Sequence, residues 1–161
     1  MSAKLAVWNK LPEEEAASVL LAFCGSRQWA RCVTRARPLE GRGAFLRAAE
    51  GCWTGLAEAD WLEAIAGHPA IGSRDLVGLP AREQSAVRDA PAETLSELAK
   101  ANRDYRERFG WTFLVCATGK TAEEMLSQCR ERLHNDQRTE LAVAAEEQKK
   151  ITRLRIEKWL T

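Results

Sequence analysis

Apolar residues recur at helical spacing through most of the chain, whereas the alternation of a half-buried strand is almost absent. After Pro12, the run EEEAASVLLAF places acidic residues in a first turn and apolar residues behind them, and Gly25 is a natural end. Ser26 is placed to cap a second helix that closes before Pro38. Similar signals predict six further helices, at about residues 43–53, before Gly67, and at about 81–88, 91–110, 121–133 and 136 to near the end.

Two segments interrupt this helical pattern. The stretch HPAIGSRDLVGLP (68–80) contains two prolines and two glycines, which prevent a regular helix. The apolar stretch WTFLVCAT (111–118) has strand-like composition but no second strand-like run to pair with, so we interpret it as a buried extended connector. Beyond it, Thr121 and Glu124 form a capping box, and Asp136 can cap the last helix. The sequence therefore predicts one all-α domain over residues 1–161, with about eight helices, one extended connector and no sheet.

Composition and charge narrow the class of protein. The 161 residues include 24 Lys and Arg against 23 Asp and Glu, a net charge of +1, so no global field favours a polyanion and nucleic acid is not expected as a partner. The five cysteines are odd in number and form no CxxC pair, and neither of the two histidines has a metal-ligand spacing. We therefore expect a reduced protein without a disulfide framework or a metal site.

The same features bear on location. The N-terminal stretch has no apolar core or cleavage site of a signal peptide, and no apolar run approaches the roughly 20 residues of a membrane span. We expect a cytoplasmic protein with no membrane partner.

Three polar positions could carry chemistry. His68 lies in an irregular loop, and Pro69 pushes its backbone towards an extended shape that can aim an imidazole. A lone histidine there more commonly satisfies the carbonyls of the preceding helix end, however. The adjacent pair Glu83 and Gln84 would, taken alone, be assigned to a solvated helix face.

The last predicted helix is more informative. Its apolar stripe is formed by Leu141, Ala144, Ala145, Gln148, Ile151 and Leu154. With Ile151 at 0°, Arg155 falls at ~40°, on the buried side, and Arg153 falls at ~200°, facing away. A buried guanidinium needs an anionic or strongly polar partner. That partner is either a structural carboxylate or a substrate oxygen held in bidentate fashion, and the sequence leaves both open.

These pieces occur in one order along the chain: HPAIG (68–72), REQ (82–84), NRDYRERFGWTFLVCATGK (102–120), RLHN (132–135) and EEQKKITRLRI (146–156). The succession resembles the 2-oxo-4-hydroxy-4-carboxy-5-ureidoimidazoline (OHCU) decarboxylases of urate degradation, over roughly residues 5–160. The resemblance implies an all-α, cofactor-free enzyme that acts on OHCU and forms (S)-allantoin. It also implies a homodimer, although the sequence itself does not distinguish a monomer from a dimer.

The resemblance also implies roles for particular residues. The catalytic set falls on His68, Glu83 and Arg155, which are expected to converge around one small planar anion. The substrate-binding set falls on Pro69, Gln84, Trp111, Phe113, Leu114, Val115, Cys116 and Ala117. Within that set, residues 113–117 are expected to act through their main-chain groups. No metal ligand is implied. The chain departs from the family pattern at Pro80, where many members have serine, and in a short loop between His68 and Glu83.

The reaction needs three contributions from the protein: orientation, stabilisation of the developing charge and a stereospecific proton. We expect Arg155 to hold the anionic oxygens, His68 to donate the proton, and Glu83 either to orient His68 or to accept a hydrogen bond from the substrate hydroxyl. The alternative hypothesis is a non-catalytic interaction or adaptor domain that docks through Arg27, Arg31, Arg35 and Arg37. A helix-turn-helix nucleic-acid binder is disfavoured by the net charge.

Overall fold

A computed structural model describes residues 2–72 and 83–161. In this part of the chain there are nine helices and no strand, which confirms the all-α prediction. They are α1 (Ala3–Trp8), α2 (Glu13–Leu21), α3 (Arg27–Arg35), α4 (Gly41–Thr54), α5 (Glu58–Ala66), α6 (Ser85–Arg88), α7 (Ala92–Phe109), α8 (Ala122–Arg132) and α9 (Gln137–Leu160). Helix α1 was not predicted, and the expected start of a helix near Ala81 lies outside the described residues, as does Pro80.

The predicted capping groups are confirmed. The side-chain hydroxyl of Ser26 accepts a hydrogen bond of 3.1 Å from the Trp29 amide. Thr121 Oγ1 accepts one of 3.1 Å from the Glu124 amide, and Asp136 Oδ1 accepts one of 2.8 Å from the Thr139 amide. Each bond satisfies an N–H group in a first turn, where the helix offers no internal acceptor.

The chain divides into two compact units. The first comprises residues 1–64 and 148–161, and the second comprises residues 65–147. Helix α9 contributes to both, since its residues up to Glu147 belong to the second unit and those from Gln148 to the first. The single domain expected over residues 1–161 stays a prediction.

Tryptophans dominate the core of the first unit. The rings of Trp8 and Phe45 stack with centroids 5.2 Å apart, and both residues are almost fully buried. The indole N–H of Trp8 donates to the Ala16 carbonyl, and that of Trp29 donates to the Ala49 carbonyl, each at 2.9 Å. The indole N–H groups of these two buried tryptophans are therefore hydrogen-bonded.

Our expectation about cysteines was wrong for one pair. Cys32 in α3 and Cys52 in α4 form a disulfide, with Cα atoms 5.8 Å apart, while Cys24, Cys116 and Cys129 are free and buried. The odd number and wide spacing of the cysteines concealed the pair because it is set by the packing of α3 on α4. The cysteine argument for a reduced protein therefore fails.

An aromatic cluster joins α7 to the connector (residues 111–118) in the second unit. Tyr105 packs against Phe109, with centroids 4.7 Å apart, and edge-on against Phe113 at 5.2 Å. Residues 113–117 are buried and have neither helical nor strand structure, as predicted. Gly110 begins this change of direction in the left-handed conformation, with φ +85°, which glycine adopts without a Cβ clash.

Most of the stripe predicted on the last helix is buried, but Leu154 is an exception. Its side chain is 40% exposed, and Thr152, Arg155 and Ile156 are buried instead. The inward position predicted for Arg155 is confirmed. Among residues 2–72 and 83–161, no helix is both long and apolar enough to cross a membrane.

Candidate functional site

The segment that carries His68 leaves α5 through an irregular turn, as the prolines and glycines predict. The His68 amide donates a hydrogen bond of 3.2 Å to the Ile65 carbonyl, so the main chain itself satisfies part of the helix end. Both His68 and Pro69 are half-buried. The segment turns at Gly72, where φ is +80°.

The pair Glu83 and Gln84 is half-buried rather than fully solvated. The side-chain oxygen of Gln84 accepts a hydrogen bond of 3.0 Å from the Gly72 amide. This contact ties the loop that follows His68 directly to the residue beside Glu83. Two of the segments that the family resemblance had singled out are thus brought together within the second unit.

Asn102 in α7 holds the same loop from another side. Its side-chain nitrogen donates a hydrogen bond of 3.2 Å to the carbonyl of Ile71, which is itself buried. The loop between His68 and Gly72 is therefore held by two amide side chains, those of Gln84 and Asn102. Sequence reasoning did not identify Asn102, which reads as an ordinary polar residue of a helix.

The connector lies within electrostatic range of Glu83. Burial is the main cause that raises the pKa of the Cys116 thiol, and the carboxylates of Glu147 and Glu83 raise it further. A hydrogen bond with the Thr118 backbone and the charge of Lys120 act in the opposite direction. The Cys116 thiol is thus influenced by charges of both signs, and Glu83 is one of them.

Several main-chain groups of the connector already have protein partners. Cys116 N donates to Glu147 Oε1 at 3.4 Å, and Lys120 Nζ donates to the Cys116 carbonyl at 2.9 Å. The carbonyl of Leu114 accepts a hydrogen bond of 2.7 Å from Arg132 Nη1, and that of Ala117 accepts one of 3.0 Å from the Lys120 amide. Because of these hydrogen bonds, residues 113–117 offer fewer main-chain groups to a ligand than we expected from the sequence.

The side chains of Trp111 and Phe113 lie in the interior. Trp111 is 8% exposed, and its indole N–H donates to the Tyr105 hydroxyl at 3.0 Å. Phe113 is 1% exposed and lies beneath the guanidinium of Arg132, with 4.6 Å between the guanidinium carbon and the ring centroid. Any contact of these residues with a substrate would have to come from their main-chain atoms or the indole edge.

A buried ion pair lies directly behind the connector. Glu140 is fully buried and Arg132 is 8% exposed. Arg132 Nε donates to Glu140 Oε1 at 2.7 Å, and Nη2 lies 2.6 Å from the same oxygen but outside hydrogen-bond geometry, so we assign the bond to Nε. The Tyr105 hydroxyl also donates to Glu140 Oε1, at 2.6 Å, and Asn135 Nδ2 donates to Oε2 at 2.9 Å.

Sequence reasoning missed Arg132, Glu140 and Tyr105, although a usable signal was present. Arg132 follows Met125 and Cys129 at helical spacing, and both of these are fully buried. The projection that placed Arg155 inside would have placed Arg132 inside as well. His134, in the turn between α8 and α9, is exposed, whereas Asn135 beside it is half-buried.

Arg155 lies in the first unit, on the C-terminal half of α9, and is 9% exposed. Its Nη1 donates to the Phe23 carbonyl at 3.2 Å. Burial raises the pKa of the neighbouring Cys24 thiol to about 11, although hydrogen bonds with Ser26 and Thr152 and the Arg155 charge lower it. In contrast, Arg153 is exposed and pairs with Glu50 at 2.7 Å.

The predicted catalytic residues are thus divided between the units. His68 and Glu83, with all of the predicted substrate-binding residues, belong to the second unit, and Arg155 belongs to the first. That the three converge on one ligand stays a prediction. In the part of the chain that the structure describes, no group of three or more His, Cys, Asp or Glu residues could hold a metal ion.

One surface cavity of about 450 Å³ lies between α7 and α8 and contains none of the predicted catalytic or substrate-binding residues. Its wall includes the exposed ion pair between Glu97 and Arg130, at 2.8 Å, and the side chain of His134. Half of the eight lining residues are charged, and ligand sites for small molecules are usually more enclosed and carry fewer charged groups. We therefore do not place the site there.

Comparison with known proteins agrees with the motifs. The family model for OHCU decarboxylase matches residues 9–157. The chain is 38% identical over 143 residues to the "Uric acid degradation bifunctional protein TTL" of Arabidopsis thaliana, covering 84% of this chain and 44% of that protein. It is 36% identical over 97 residues to the 2-oxo-4-hydroxy-4-carboxy-5-ureidoimidazoline decarboxylase of Amia calva, covering 56% and 55%. The chain thus spans about half the length of these curated relatives.

Solved structures show the same relationship. A crystal structure of OHCU decarboxylase in the presence of (S)-allantoin matches with a TM-score of 0.80 and 34% identity, covering 93% of this chain and 99% of that one. A crystal structure of (S)-allantoin synthase matches with a TM-score of 0.74, covering 96% of this chain and 53% of that one, and at 18% identity it shows the fold alone. Because the family model spans nearly the whole sequence, the chain belongs to the OHCU decarboxylase family.

Proposed function

We propose that this protein decarboxylates OHCU to (S)-allantoin in urate degradation, without a cofactor. The observation that carries the proposal is the hydrogen bond from the Gly72 amide to Gln84, which ties the His68 loop to the segment of Glu83. It is supported by the match to a decarboxylase whose crystal structure was solved in the presence of (S)-allantoin.

In the proposed reaction the bond between the substrate carboxylate and the ring carbon that bears the hydroxyl breaks, and CO2 leaves. The released electron pair forms a double bond to the ring carbon that bears the ureido group, and the electron pair of the C=N bond moves onto nitrogen, which takes up a proton from water. The hydroxyl then becomes the carbonyl of allantoin, and the ureido-bearing carbon receives a proton on one face. Because the substrate's own C=N bond accepts the electrons, the step requires no external electron sink.

Each proposed residue contributes to one part of this sequence. His68 donates the proton to the ureido-bearing carbon, since an imidazole exchanges protons near neutral pH. Glu83 accepts the hydrogen bond of the substrate hydroxyl and, in the final step, its proton. Arg155 holds the substrate carboxylate or carbonyl oxygens through its planar fork. Gln84 and the main-chain groups of the connector form hydrogen bonds with the remaining polar groups of the substrate.

Two wider inferences belong to the same proposal. We propose a cytoplasmic location on the basis of the sequence. The expectation that the cysteines are reduced no longer supports this location, because Cys32 and Cys52 form a disulfide. A homodimer follows from the family resemblance. Size-exclusion chromatography with light scattering would test the dimer, since a mass near 18.0 kDa would show a monomer.

The contacts of the arginines argue against the alternative hypothesis, a domain that docks through Arg27, Arg31, Arg35 and Arg37. Arg27 pairs with Glu63 at 3.0 Å, and Arg35 pairs with Glu13 at 3.5 Å. Arg37 donates to the main-chain carbonyls of Trp8 and Leu11. Three of the four arginines thus contact the protein itself, which is typical of a solvated or structural helix face.

The proposal is tested by following the circular dichroism of allantoin formed from freshly generated OHCU. Unassisted decay gives racemic allantoin, so the wild-type protein should add both rate and a single handedness. His68→Asn and Glu83→Gln should lower the rate by about 10²–10⁴-fold and reduce the enantiomeric excess. His134→Asn, at an exposed histidine, is the matched control. Retention of wild-type rate and handedness in both site variants would refute the assigned roles.

A further inference from the structure

We propose that Arg132, Glu140 and Tyr105 form a positioning unit that fixes the direction of the connector, and so sets the rate and the stereochemistry of the reaction. The inference rests on the proposed function, because it concerns main-chain groups of the connector that would hold the substrate. None of the three side chains is assigned a contact with substrate. Their role is exerted through Trp111 and Leu114.

The contacts form a continuous path that begins and ends on the connector. The Trp111 indole N–H donates to the Tyr105 hydroxyl, and this hydroxyl donates to Glu140 Oε1. Arg132 Nε donates to the same carboxylate oxygen, and Arg132 Nη1 donates to the Leu114 carbonyl at 2.7 Å. Two connector residues three positions apart are therefore held by one polar path.

The path is buried and includes an ion pair. Glu140 and Tyr105 are fully buried, and the Arg132 side chain is 10% exposed. Burial and the hydrogen bond to Glu140 raise the pKa of the Tyr105 hydroxyl well above its usual range, so it keeps its proton and acts as a donor. Rings of Phe113 and Tyr105 cover the guanidinium, at 4.6 and 5.8 Å from their centroids. Removal of any member would leave a buried polar group without a partner.

The connector needs such an external support because it has no secondary structure. A helix or strand determines the direction of each carbonyl through its own hydrogen bonds, whereas an irregular segment depends on side chains for this. An apolar cluster of the same volume could stabilise the fold equally well, since buried ion pairs add little net stability. The ion pair instead contributes orientation. Together with Tyr105, it holds the Leu114 carbonyl and the Trp111 indole in fixed directions. Displacement of groups that orient a substrate by about 1 Å can cost 10²-fold in rate.

The test uses Tyr105→Phe, Arg132→Lys and Arg132→Met. Tyr105→Phe deletes only the hydroxyl, and lysine keeps the charge of Arg132 but cannot reach the Glu140 carboxylate and the Leu114 carbonyl as a fork. Arg37→Met is the matched control, since Arg37 also donates to main-chain carbonyls and lies over an aromatic ring, that of Trp8, in the first unit. Each variant is assayed for kcat, KM, enantiomeric excess, melting temperature and hydrogen exchange of the amides at residues 111–118.

We expect kcat/KM to fall about 10-fold in Tyr105→Phe and Arg132→Lys and about 10²-fold in Arg132→Met, with a lower enantiomeric excess in all three. The connector amides should exchange faster than in the wild type, while those of α2 and α3 should not. In Arg37→Met, activity and handedness should stay within about 2-fold of wild type even where the melting temperature falls equally.

Two results would overturn the inference. One is unchanged hydrogen exchange at residues 111–118 in all three variants. The other is an activity loss that follows the melting temperature in the same proportion as in Arg37→Met, with handedness intact. If the wild-type protein does not decarboxylate OHCU, the proposed function fails, and the exchange experiment still decides whether Arg132 and Tyr105 hold the connector.

Discussion

Arg155 Nη1 donates a hydrogen bond of 3.2 Å to the carbonyl oxygen of Phe23, which lies 132 positions earlier in the chain. The bond holds one nitrogen of a buried guanidinium against the main chain, close to Cys24. A guanidinium has five N–H donors in a planar arrangement. A hydrogen bond from one of them restricts the orientation of the whole planar group.

The first prediction compares two arginines of α9. We expect Arg155→Lys to lower kcat/KM for OHCU by about 10²-fold, since a lysine cannot make the bidentate contact proposed for the substrate oxygens. Arg153→Lys is the control, because Arg153 is exposed and pairs with Glu50 and Glu157. It should change kcat/KM by less than about 2-fold. Steady-state kinetics on both variants would contradict the assignment if their losses were equal.

The second prediction concerns the disulfide between Cys32 and Cys52, which are separated by 20 positions in sequence. Closing a loop of this size restricts the unfolded chain and is worth about 3 kcal/mol. The double variant Cys32→Ala/Cys52→Ala should therefore unfold at lower denaturant concentration, and reductant should bring the wild type to a similar stability. Adding reductant to the double variant is the control. A wild type that is insensitive to reductant would show that the bond contributes nothing to stability.

The third prediction uses two glycines with no heavy atom within 4 Å of a built Cβ. Gly110 has φ +85°, whereas Gly51 lies within α4. Gly110→Ala should destabilise the protein by about 1–2 kcal/mol, because an L-residue is strained in the left-handed region. Gly51→Ala should stabilise it by about 0.5–1 kcal/mol through helix propensity. Chemical denaturation measures both, and changes of the same sign would show that backbone conformation is not the cause.

The fourth prediction concerns stability at high pH. Burial raises the pKa of Cys24 from 9.0 to about 11 in the folded protein. Below about pH 9 the thiol is protonated in both states, so it has no effect on the free energy of unfolding. Above it the unfolded chain loses the proton first, and stability falls until the folded pKa is reached. The decrease should be on the order of 1 kcal/mol between pH 9.5 and 10.5.

Cys24→Ala should remove this part of the pH dependence. The control is Ala16→Gly, a buried position in α2 where the substitution costs on the order of 1 kcal/mol without adding or removing a titrating group. Its free energy of unfolding should fall with pH as steeply as that of the wild type. Denaturant titrations at pH 8, 9.5 and 10.5 measure the free energy of unfolding. If it fell equally with pH in Cys24→Ala and in the wild type, the contribution expected from the Cys24 thiol would be contradicted.

Much of the fold was accessible from local signals. The caps at Ser26, Thr121 and Asp136 were predicted correctly because a capping side chain binds an amide only two or three residues away. Both partners of the hydrogen bond therefore lie within one short stretch of sequence. The connector was recognisable because its composition changes at Gly110. Arg155 could be placed inside because helical periodicity relates it to neighbours on one face.

The tertiary structure decided the relationships that join distant stretches of chain. The Cys32–Cys52 pairing, the Gly72–Gln84 hydrogen bond and the path from Trp111 through Glu140 to Leu114 all join separate segments, and none has a local signature. Leu154 is exposed although the helical pattern placed it inside, because burial depends on what packs against a face and not on the face alone. Local propensity acts within a helical turn, whereas these contacts exist only after chain closure has brought the segments together.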